Sequence, residues 1–349
     1  MISKEAVLHV LSGIEDPELK RPLTDLDMVK SVDISGGDVV VGITLTVPGC
    51  PLKAKINDDV TRGVRLIPGV DSVRVVFDVM TDQQREKLKA KLGIGNRETV
   101  SIVNFAKRFI AVASGKGGVG KSTVTANLAA ALARKGYMVG LLDADVYGFS
   151  IPRMLGVTGQ PTIIDDKIVP LRKGNNLQVV SMGFFVHEDD PVIWRGPLLH
   201  KAINQFLTDV VWDDLDFLLL DLPPGTGDVT LTIAQSIPSA ELLVVTTPQA
   251  TATHVAGRVA KLAARTNLKV IGVIENMSYY ETNGTREYIF GKDGGKELAT
   301  RLGVEFFGEI PLSIGIREGG DSGKPAAIDG SPQQIALFEK LASAIEKKQ

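Results

Sequence analysis

The feature that most constrains this chain is the glycine-rich segment Ser114–Thr123, SGKGGVGKST. It follows a short apolar run and precedes a stretch with helical periodicity, so it fits G-x-x-x-x-G-K-[ST] in a strand–loop–helix context. Glycines let successive backbone N–H groups curve around phosphate oxygens, and the dipole of the following helix favours an anion there. The segment therefore predicts a phosphate-binding loop able to hold a nucleoside triphosphate.

Two lysines and a serine give this loop its expected chemistry. Lys121 is expected to reach the β- and γ-phosphates, and the Ser122 hydroxyl is expected to bind Mg²⁺. Lys116 occupies a position that the motif leaves free, where a second ammonium group either adds charge to its own phosphates or reaches a nucleotide across a dimer interface. The predicted ATP-contacting residues of the loop are Gly115, Lys116, Gly117, Gly118, Val119, Gly120, Lys121, Ser122 and Thr123.

Carboxylates follow two further apolar runs. Asp221 ends the run Leu218–Asp221, where a carboxylate can hold the magnesium shell. A glycine-rich turn at Leu222–Asp228 follows it and is suited to sensing the γ-phosphate. Asp143 and Asp145 end the preceding strand, at the edge where open α/β sheets bind ligands. One of the two, and we expect Asp145, orients the attacking water or a magnesium-bound water.

The order of elements predicts an α/β fold with a small domain ahead of it. Beyond residue 108, apolar Val/Leu/Ile runs alternate with helical segments, which is typical of a doubly wound, mostly parallel sheet. The first 82 residues mix a helix with short strands and predict a small α+β domain. The polar residues 83–107 predict a linker, and the ATPase domain is expected to span 108–349.

Composition restricts the classes of function. The formal net charge is −2, from 39 basic and 41 acidic side chains, so the overall basic excess typical of nucleic-acid-binding proteins is lacking, although a local basic patch is compatible with these counts. The single cysteine, Cys50, allows no intrachain disulfide. The amino terminus lacks the apolar core of a signal peptide, and no apolar run approaches the ~18 residues of a membrane span. We expect a cytoplasmic protein with no membrane contact.

Several long motifs carry a family resemblance. These are GKGGVGKST at 115–123, DADVYGFSIPRMLG at 143–156, VIWRGP at 192–197 and LLLDLPPGTGD at 218–228. Together they resemble the Mrp-type carriers, a branch of the MinD-like deviant P-loop ATPases. The motifs DPEL, PLTDLDMV and TVPGCPLK near the amino terminus look like the iron–sulfur-assembly domain often fused to them.

The resemblance implies a homodimeric ATPase that serves iron–sulfur proteins. It implies that Lys116 reaches the partner's nucleotide, and that Asn276 and Pro311 contact the adenine. Iron–sulfur apo-proteins or assembly factors are the implied partners. Such carriers hold a cluster between subunits through a Cys-x-x-Cys pair after the MSY segment, but here residues 277–291 contain no cysteine.

Cys50 is therefore the one candidate cluster thiol. It lies in a Gly-Cys-Pro turn that opens a predicted helix, whose dipole would lower the pKa of the thiol. It either accepts a cluster with help from external thiols or is a structural turn residue. Two functions follow: an ATPase that carries or assembles iron–sulfur clusters, and a cluster-free nucleotide switch that regulates a protein or DNA partner.

Overall fold

A computed structural model describes residues 2–17, 21–45, 53–91, 105–145, 148–185, 196–225 and 228–348. The chain divides into two compact units. One comprises Met1–Thr99 with Thr162–Val169, and the other comprises Val100–Pro161 with Pro170–Gln349. In the described part of the chain, no helix is long and apolar enough to cross a membrane.

The small unit is a three-stranded sheet with helices. Its elements within the first 99 residues are α1 (Lys4–Leu11), β1 (Val29–Ser35), β2 (Asp38–Leu45), α2 (Lys53–Arg65), β3 (Ser72–Val79) and α3 (Asp82–Lys91). Strand β2 lies between β1, which is antiparallel to it, and β3, which is parallel. Helix α2 buries Ile56, Val60 and Val64, whose spacing of four residues places them on one helix face. This arrangement confirms the predicted small α+β domain.

Beyond residue 105 the chain alternates strands with helices. The strands are β4 (Ala106–Ser114), β5 (Val139–Asp143), β6 (Thr162–Ile164), β7 (Lys167–Val169), β8 (Leu171–Lys173), β9 (Leu177–Ser181), β10 (Leu215–Asp221), β11 (Glu241–Thr246), β12 (Lys269–Asn276), β13 (Tyr280–Thr282), β14 (Thr285–Glu287) and β15 (Glu305–Ile310). The helices are α4 (Lys121–Arg134), α5 (Ile151–Leu155), α6 (Gly196–Thr208), α7 (Asp228–Ser236), α8 (Ala250–Arg265), α9 (Gly294–Leu302), α10 (Ile314–Ser322), α11 (Ala326–Asp329) and α12 (Pro332–Glu346).

Eight of these strands form one twisted sheet in the order β15-β12-β11-β4-β10-β5-β9-β8. All neighbours run parallel except the edge pair β8–β9. Every residue of β5 and of β9 is buried, because helices cover the sheet and leave neither face of these strands to water. The predicted doubly wound, mostly parallel α/β fold is confirmed.

The register of the sheet brings the important strand ends together. Asp221 at the end of β10 pairs with Val112 of β4 on one side and with Asp143 of β5 on the other. Since parallel strands present their carboxyl ends at one edge, Ser114, Asp143 and Asp221 lie beside one another. The sequence-predicted carboxylates therefore meet next to the glycine-rich loop.

Arg108 on β4 connects distant parts of the larger unit. Its Nε donates to Glu241 Oε2 at 2.9 Å, and its Nη1 donates to the Ile345 carbonyl at 2.8 Å and the Glu346 carbonyl at 3.3 Å. It thereby adds a side-chain donor to carbonyl groups at the end of α12, where the last turn of a helix lacks the regular i+4 donors. Helix α12 in turn packs on α4, the helix that follows the glycine-rich loop.

The structure adds detail to the predicted linker at 83–107. Helix α3 begins at Asp82, and the Lys91 ammonium group near its end pairs with Asp27 Oδ2 at 2.7 Å. Strand β4 begins at Ala106, before the expected domain start at 108. The proposed domain limits at 82 and 108 remain predictions.

Candidate functional site

The glycine-rich loop joins β4 to α4 and depends on backbone shapes that favour glycine. Gly118 and Gly120 have φ of +80° and +79°, in the left-handed region. A Cβ added at Gly115 would lie 2.3 Å from the Ala256 backbone nitrogen of α8, so α8 packs directly against the start of the loop. Larger residues at these positions would strain the loop or push α8 away.

Three backbone carbonyl groups of the glycine-rich loop accept hydrogen bonds that fix its position. The Ser114 hydroxyl donates to the Lys116 carbonyl at 3.0 Å, and the Gly225 N–H donates to the Ser114 carbonyl at 2.8 Å. The Asn276 side-chain amide donates to the Val119 carbonyl at 2.9 Å. The turn after β10 and the end of β12 therefore both support the phosphate loop.

Lys121 and Asp221 form the centre of the site. The Lys121 ammonium group lies 2.7 Å from Asp221 Oδ2, and both side chains are buried. The Ser122 hydroxyl donates to the same carboxylate oxygen at 2.6 Å. The predicted phosphate lysine, the predicted magnesium hydroxyl and the predicted magnesium carboxylate thus lie in direct contact.

Thr125 is a further hydrogen-bond donor to the Asp221 carboxylate, and the sequence motifs did not predict this residue. Its buried hydroxyl donates to Asp221 Oδ1 at 2.7 Å and also lies 2.9 Å from the Lys121 carbonyl. Thr125 follows Lys121 by four residues, so both lie on one face of α4. That spacing, applied beyond the end of the motif, is the signal that would have found it.

The two candidate aspartates at the end of β5 have different surroundings. Asp143 Oδ2 accepts hydrogen bonds from the Ser181 hydroxyl at 3.0 Å and from the Ser150 and Ile151 N–H groups at 3.2 and 3.3 Å. Asp145 Oδ2 lies 4.0 Å from the Lys121 ammonium group, and Asp145 Oδ1 accepts from the Gly148 N–H at 3.2 Å. Asp143 therefore anchors the chain that leads into α5, whereas Asp145 lies beside the phosphate lysine.

Burial and charge also set the pKa of Asp143. Desolvation, the largest cause, and the nearby Asp221 carboxylate together raise this pKa to about 7, because the hydrogen bond from Ser181 and the Lys121 charge oppose them only in part. Two carboxylates, Asp145 and Asp221, lie within 4.0 Å of the Lys121 ammonium group. This excess of negative charge suits a divalent cation.

The oxygen donors fit magnesium bound together with a nucleotide. In the described ranges, no group of three or more His, Cys, Asp or Glu side chains is arranged to hold a metal ion. Mg²⁺ commonly uses one or two protein oxygens and takes its remaining ligands from phosphates and water. Ser122 and Asp221 supply oxygens of this kind.

A cavity of about 410 Å³ opens beside the end of the loop. Asn276 and Pro311, expected at the adenine, both line it, as do Gly120 and Thr123. The Asn276 amide nitrogen is committed to Val119, so the amide oxygen is the atom left to meet a ligand. The structure thus brings the expected base contacts and the loop to one cavity.

The remaining predicted residues are distributed as follows. Lys116 is exposed, and its ammonium group has no ion pair among the described residues. Cys50 and residues 192–195 of the VIWRGP motif lie outside the described residues, so the structure places neither. The cysteine-free stretch after Met277 forms the β13–β14 hairpin, in which Arg286 lies 4.0 Å from the Tyr279 ring centroid.

Comparison with known protein families covers both units. Residues 105–346 match the ParA family described as NUBPL iron-transfer P-loop NTPase. Residues 4–77 match the family described as iron-sulfur cluster assembly protein.

Curated relatives match along almost the whole chain. The iron-sulfur cluster carrier protein of Mycobacterium leprae is 48% identical over 358 residues, covering 99% of this chain and 93% of the relative. The iron-sulfur cluster carrier protein of Bacillus subtilis is 40% identical over 352 residues, covering 100% of this chain and 99% of the relative. Each of these relatives therefore has a counterpart for both units.

Solved structures match about two thirds of the chain. The nucleotide-binding protein of Archaeoglobus fulgidus, in complex with ADP, has a TM-score of 0.59 and 37% identity, covering 67% of this chain and 93% of its own. The cell division ATPase MinD of Pyrococcus furiosus has a TM-score of 0.53 and 26% identity, covering 69% and 98%. By its phosphate-loop architecture and these matches, the chain belongs to the NUBPL iron-transfer family of P-loop NTPases.

Proposed function

We propose that the protein binds and hydrolyses ATP with magnesium. The observation that carries the proposal is the contact of Lys121, Ser122 and Asp221 at one end of a glycine-supported phosphate loop. Backbone amides and an ammonium group suit the β- and γ-phosphates, and the hydroxyl and carboxylate suit the metal. The ADP complex of the Archaeoglobus relative supports nucleotide binding at this fold.

The proposed roles in hydrolysis follow from position. Magnesium, when bound, withdraws charge from the phosphate oxygens, and Ser122 and Asp221 would hold it. Asp145 lies beside Lys121 and is proposed to orient the water that attacks the γ-phosphorus, directly or through the metal shell. As the bond from the γ-phosphorus to the bridging oxygen breaks, Lys121 and Lys116 are proposed to stabilise the developing negative charge.

We further propose that ATP turnover serves the carriage or assembly of iron–sulfur clusters. Full-length relatives at 40–49% identity bear the name iron-sulfur cluster carrier protein. Iron–sulfur apo-proteins or assembly factors are the proposed partners, and a homodimer is the proposed active form. The proposed compartment is the cytoplasm, where a lone thiol such as that of Cys50 stays reduced.

The cluster, as cargo, would need thiolates that this chain alone does not provide. Clusters of this kind are ordinarily held by cysteine thiolates at every iron, whereas each chain has a single cysteine. Oxygen donors near the hairpin, such as Glu281 and Thr282, suit iron–sulfur clusters poorly. We propose that Cys50 supplies one ligand and that a partner protein or a small thiol supplies the others.

The same shortage of thiols favours one alternative. In that alternative the protein is a cluster-free switch, and ATP controls its binding to a protein or DNA partner. Residues 277–291, where carriers of this type have their cysteine pair, form a hairpin with tyrosine and arginine contacts. A surface of that composition is typical of protein contacts.

Anaerobic reconstitution tests the carrier proposal. Purified protein is incubated with ferrous iron, sulfide and glutathione, and thiolate-to-iron absorbance is measured for wild type, Cys50→Ser and Cys50→Ala. Both variants are first checked by thermal unfolding. We expect wild type to bind a cluster and to pass it to an apo-enzyme, and both variants to do neither.

The contrary results are equally specific. Absence of cluster absorbance in wild type, with both Cys50 variants indistinguishable from it in cells, would reject the carrier proposal. Retention on DNA that requires ATP and falls steeply with salt would establish the switch instead.

A further inference from the structure

The cavity beside the phosphate loop has two arginines on its walls, and their surroundings differ. On α10, Arg317 lies 2.9 Å from Asp321 and 2.9 Å from Glu318, so two carboxylates occupy its guanidinium group. On α5, Arg153 lines the same cavity, and its guanidinium group has no ion pair within the described part of the chain. Arg153 is therefore the cation on these walls that is available to an anionic ligand.

The backbone around Arg153 is held at both ends of α5. Before the helix, the N–H groups of Ser150 and Ile151 donate to the buried Asp143 carboxylate. After it, Gly156 packs so closely on Gly323 that a Cβ at Gly156 would lie 2.6 Å from the Gly323 carbonyl oxygen. Arg153 thus projects from a short helix whose position is set by the core of the site and by the end of α10.

The two ends of the cavity indicate which part of a nucleotide lies near Arg153. Gly120 and Thr123 belong to the end of the phosphate loop and the first turn of α4, where phosphates are expected. Asn276 and Pro311 form the proposed base contacts. A nucleotide that spans these groups places its α-phosphate and ribose in the cavity, and of these two the phosphate is the one that attracts a cation.

We propose that Arg153 binds the α-phosphate of the nucleotide. This inference rests on the proposed ATP-binding function and adds a third cation to Lys116 and Lys121. Lys121 discriminates between nucleotides by their β- and γ-phosphates. Arg153, in contrast, contributes equally to ATP, ADP and AMP, since all three carry the α-phosphate, and contributes nothing to adenosine.

Nucleotide affinities provide the test. Displacement of a fluorescent ADP derivative from the nucleotide-stripped full-length chain is measured for adenosine, AMP, ADP and ATP. A charge-assisted hydrogen bond of this kind corresponds to roughly tenfold to hundredfold in affinity. We expect Arg153→Gln to lose that factor for AMP, ADP and ATP alike and to bind adenosine as wild type does. Arg153→Lys should recover part of the loss.

Arg265→Gln is the matched control. Arg265 ends α8, is exposed and has no ion pair in the described ranges, so its replacement removes the same charge from a residue that does not line the cavity. We expect the nucleotide affinities of this variant to remain within about twofold of those of wild type, because solvent and salt screen an exposed charge that does not contact the ligand.

Three results would separate the possible errors. If wild type binds none of the nucleotides, the proposed function itself fails. If wild type binds them and Arg153→Gln binds AMP, ADP and ATP equally well, the role of Arg153 is wrong. A parallel loss of adenosine affinity would also overturn it, because it would place Arg153 against the nucleoside.

Discussion

Replacement of Thr125 by valine tests whether the Asp221 carboxylate is held by α4 in the way that the structure indicates. Valine keeps the shape of threonine and removes only the hydroxyl. In the wild-type chain Asp221 Oδ2 has two donors, Lys121 and Ser122, whereas Thr125 is the described donor to Oδ1. The substitution therefore leaves one oxygen of a fully buried carboxylate without its donor.

The expected size of the effect follows from that geometry. A buried acceptor left without its donor costs about 1–3 kcal/mol, and more when it is charged. The added methyl group offsets about 0.8 kcal/mol, so a net loss of about 2 kcal/mol in the free energy of unfolding is expected. For a unit of this size that corresponds to a fall in Tm of roughly 4–8 °C.

Magnesium affinity should change as well. Groups that position a metal ligand typically contribute roughly tenfold to hundredfold to affinity. We expect Thr125→Val to weaken Mg·ADP binding by at least about tenfold, at the lower end of that range, and to leave ADP binding in EDTA unchanged. Thermal unfolding and calorimetric titration, each with and without magnesium, measure the two effects.

Thr300→Val is the matched control. The Thr300 hydroxyl donates to the Lys296 carbonyl at 3.0 Å, which is the same four-residue helix contact, but Thr300 is exposed and makes no hydrogen bond to a carboxylate among the described residues. We expect the free energy of unfolding of this variant to lie within about 0.5 kcal/mol of that of wild type. If Thr125→Val is as stable as Thr300→Val and is stabilised by Mg·ADP as strongly as wild type, the contact with Asp221 has no energetic importance.

Two further experiments address the charges of the site and its surroundings. Lys121→Ala should abolish Mg·ATP binding in calorimetry, whereas Lys116→Ala should bind ATP and hydrolyse it on the order of 10²-fold more slowly; hydrolysis at the wild-type rate would refute the role of Lys116. Burial raises the pKa of Glu275 above its ordinary 4.5, although the Gly295 N–H opposes this by donating to the carboxylate. The folded chain therefore binds this proton more tightly than the unfolded chain, so the stability that Glu275 contributes falls as pH rises through the raised pKa. Glu275→Gln should accordingly raise Tm more at about pH 8 than at about pH 5, and a Tm difference that does not vary with pH would contradict this.

Much of the fold could be predicted because buried parallel strands are uninterrupted apolar runs. Residues 218–220 of β10 and residues 242–245 of β11 are runs of this kind. Strand order is different, because β10 lies between β4 and β5 through pairing that no local pattern encodes. Short strands such as β8, with only Leu171–Lys173, are too brief to show a period.

The site shows the same division between local and distant information. Ser122, Lys121 and Asp221 could be assigned because a motif and a strand end specify them. The choice between Asp143 and Asp145 depends on the turn that leads into α5, whose N–H groups bind Asp143. Residues that reach the site through tertiary contact, such as Ser181 of β9, whose hydroxyl donates to Asp143, carry no local sequence signal.

The Arg108 hydrogen bonds have a consequence for how the larger unit folds during synthesis. Strand β4 lies inside the sheet, yet its Arg108 side chain donates hydrogen bonds to the Ile345 and Glu346 carbonyls, which follow it by 237 and 238 positions. Helix α4 likewise packs against α12, which carries the buried Phe338 and Leu341, only after every strand of the eight-stranded sheet has been synthesised. Contacts so distant in sequence slow folding and leave apolar surface open in the meantime. Truncation within α12 should therefore leave apolar residues of α4 uncovered and yield aggregates rather than a folded unit.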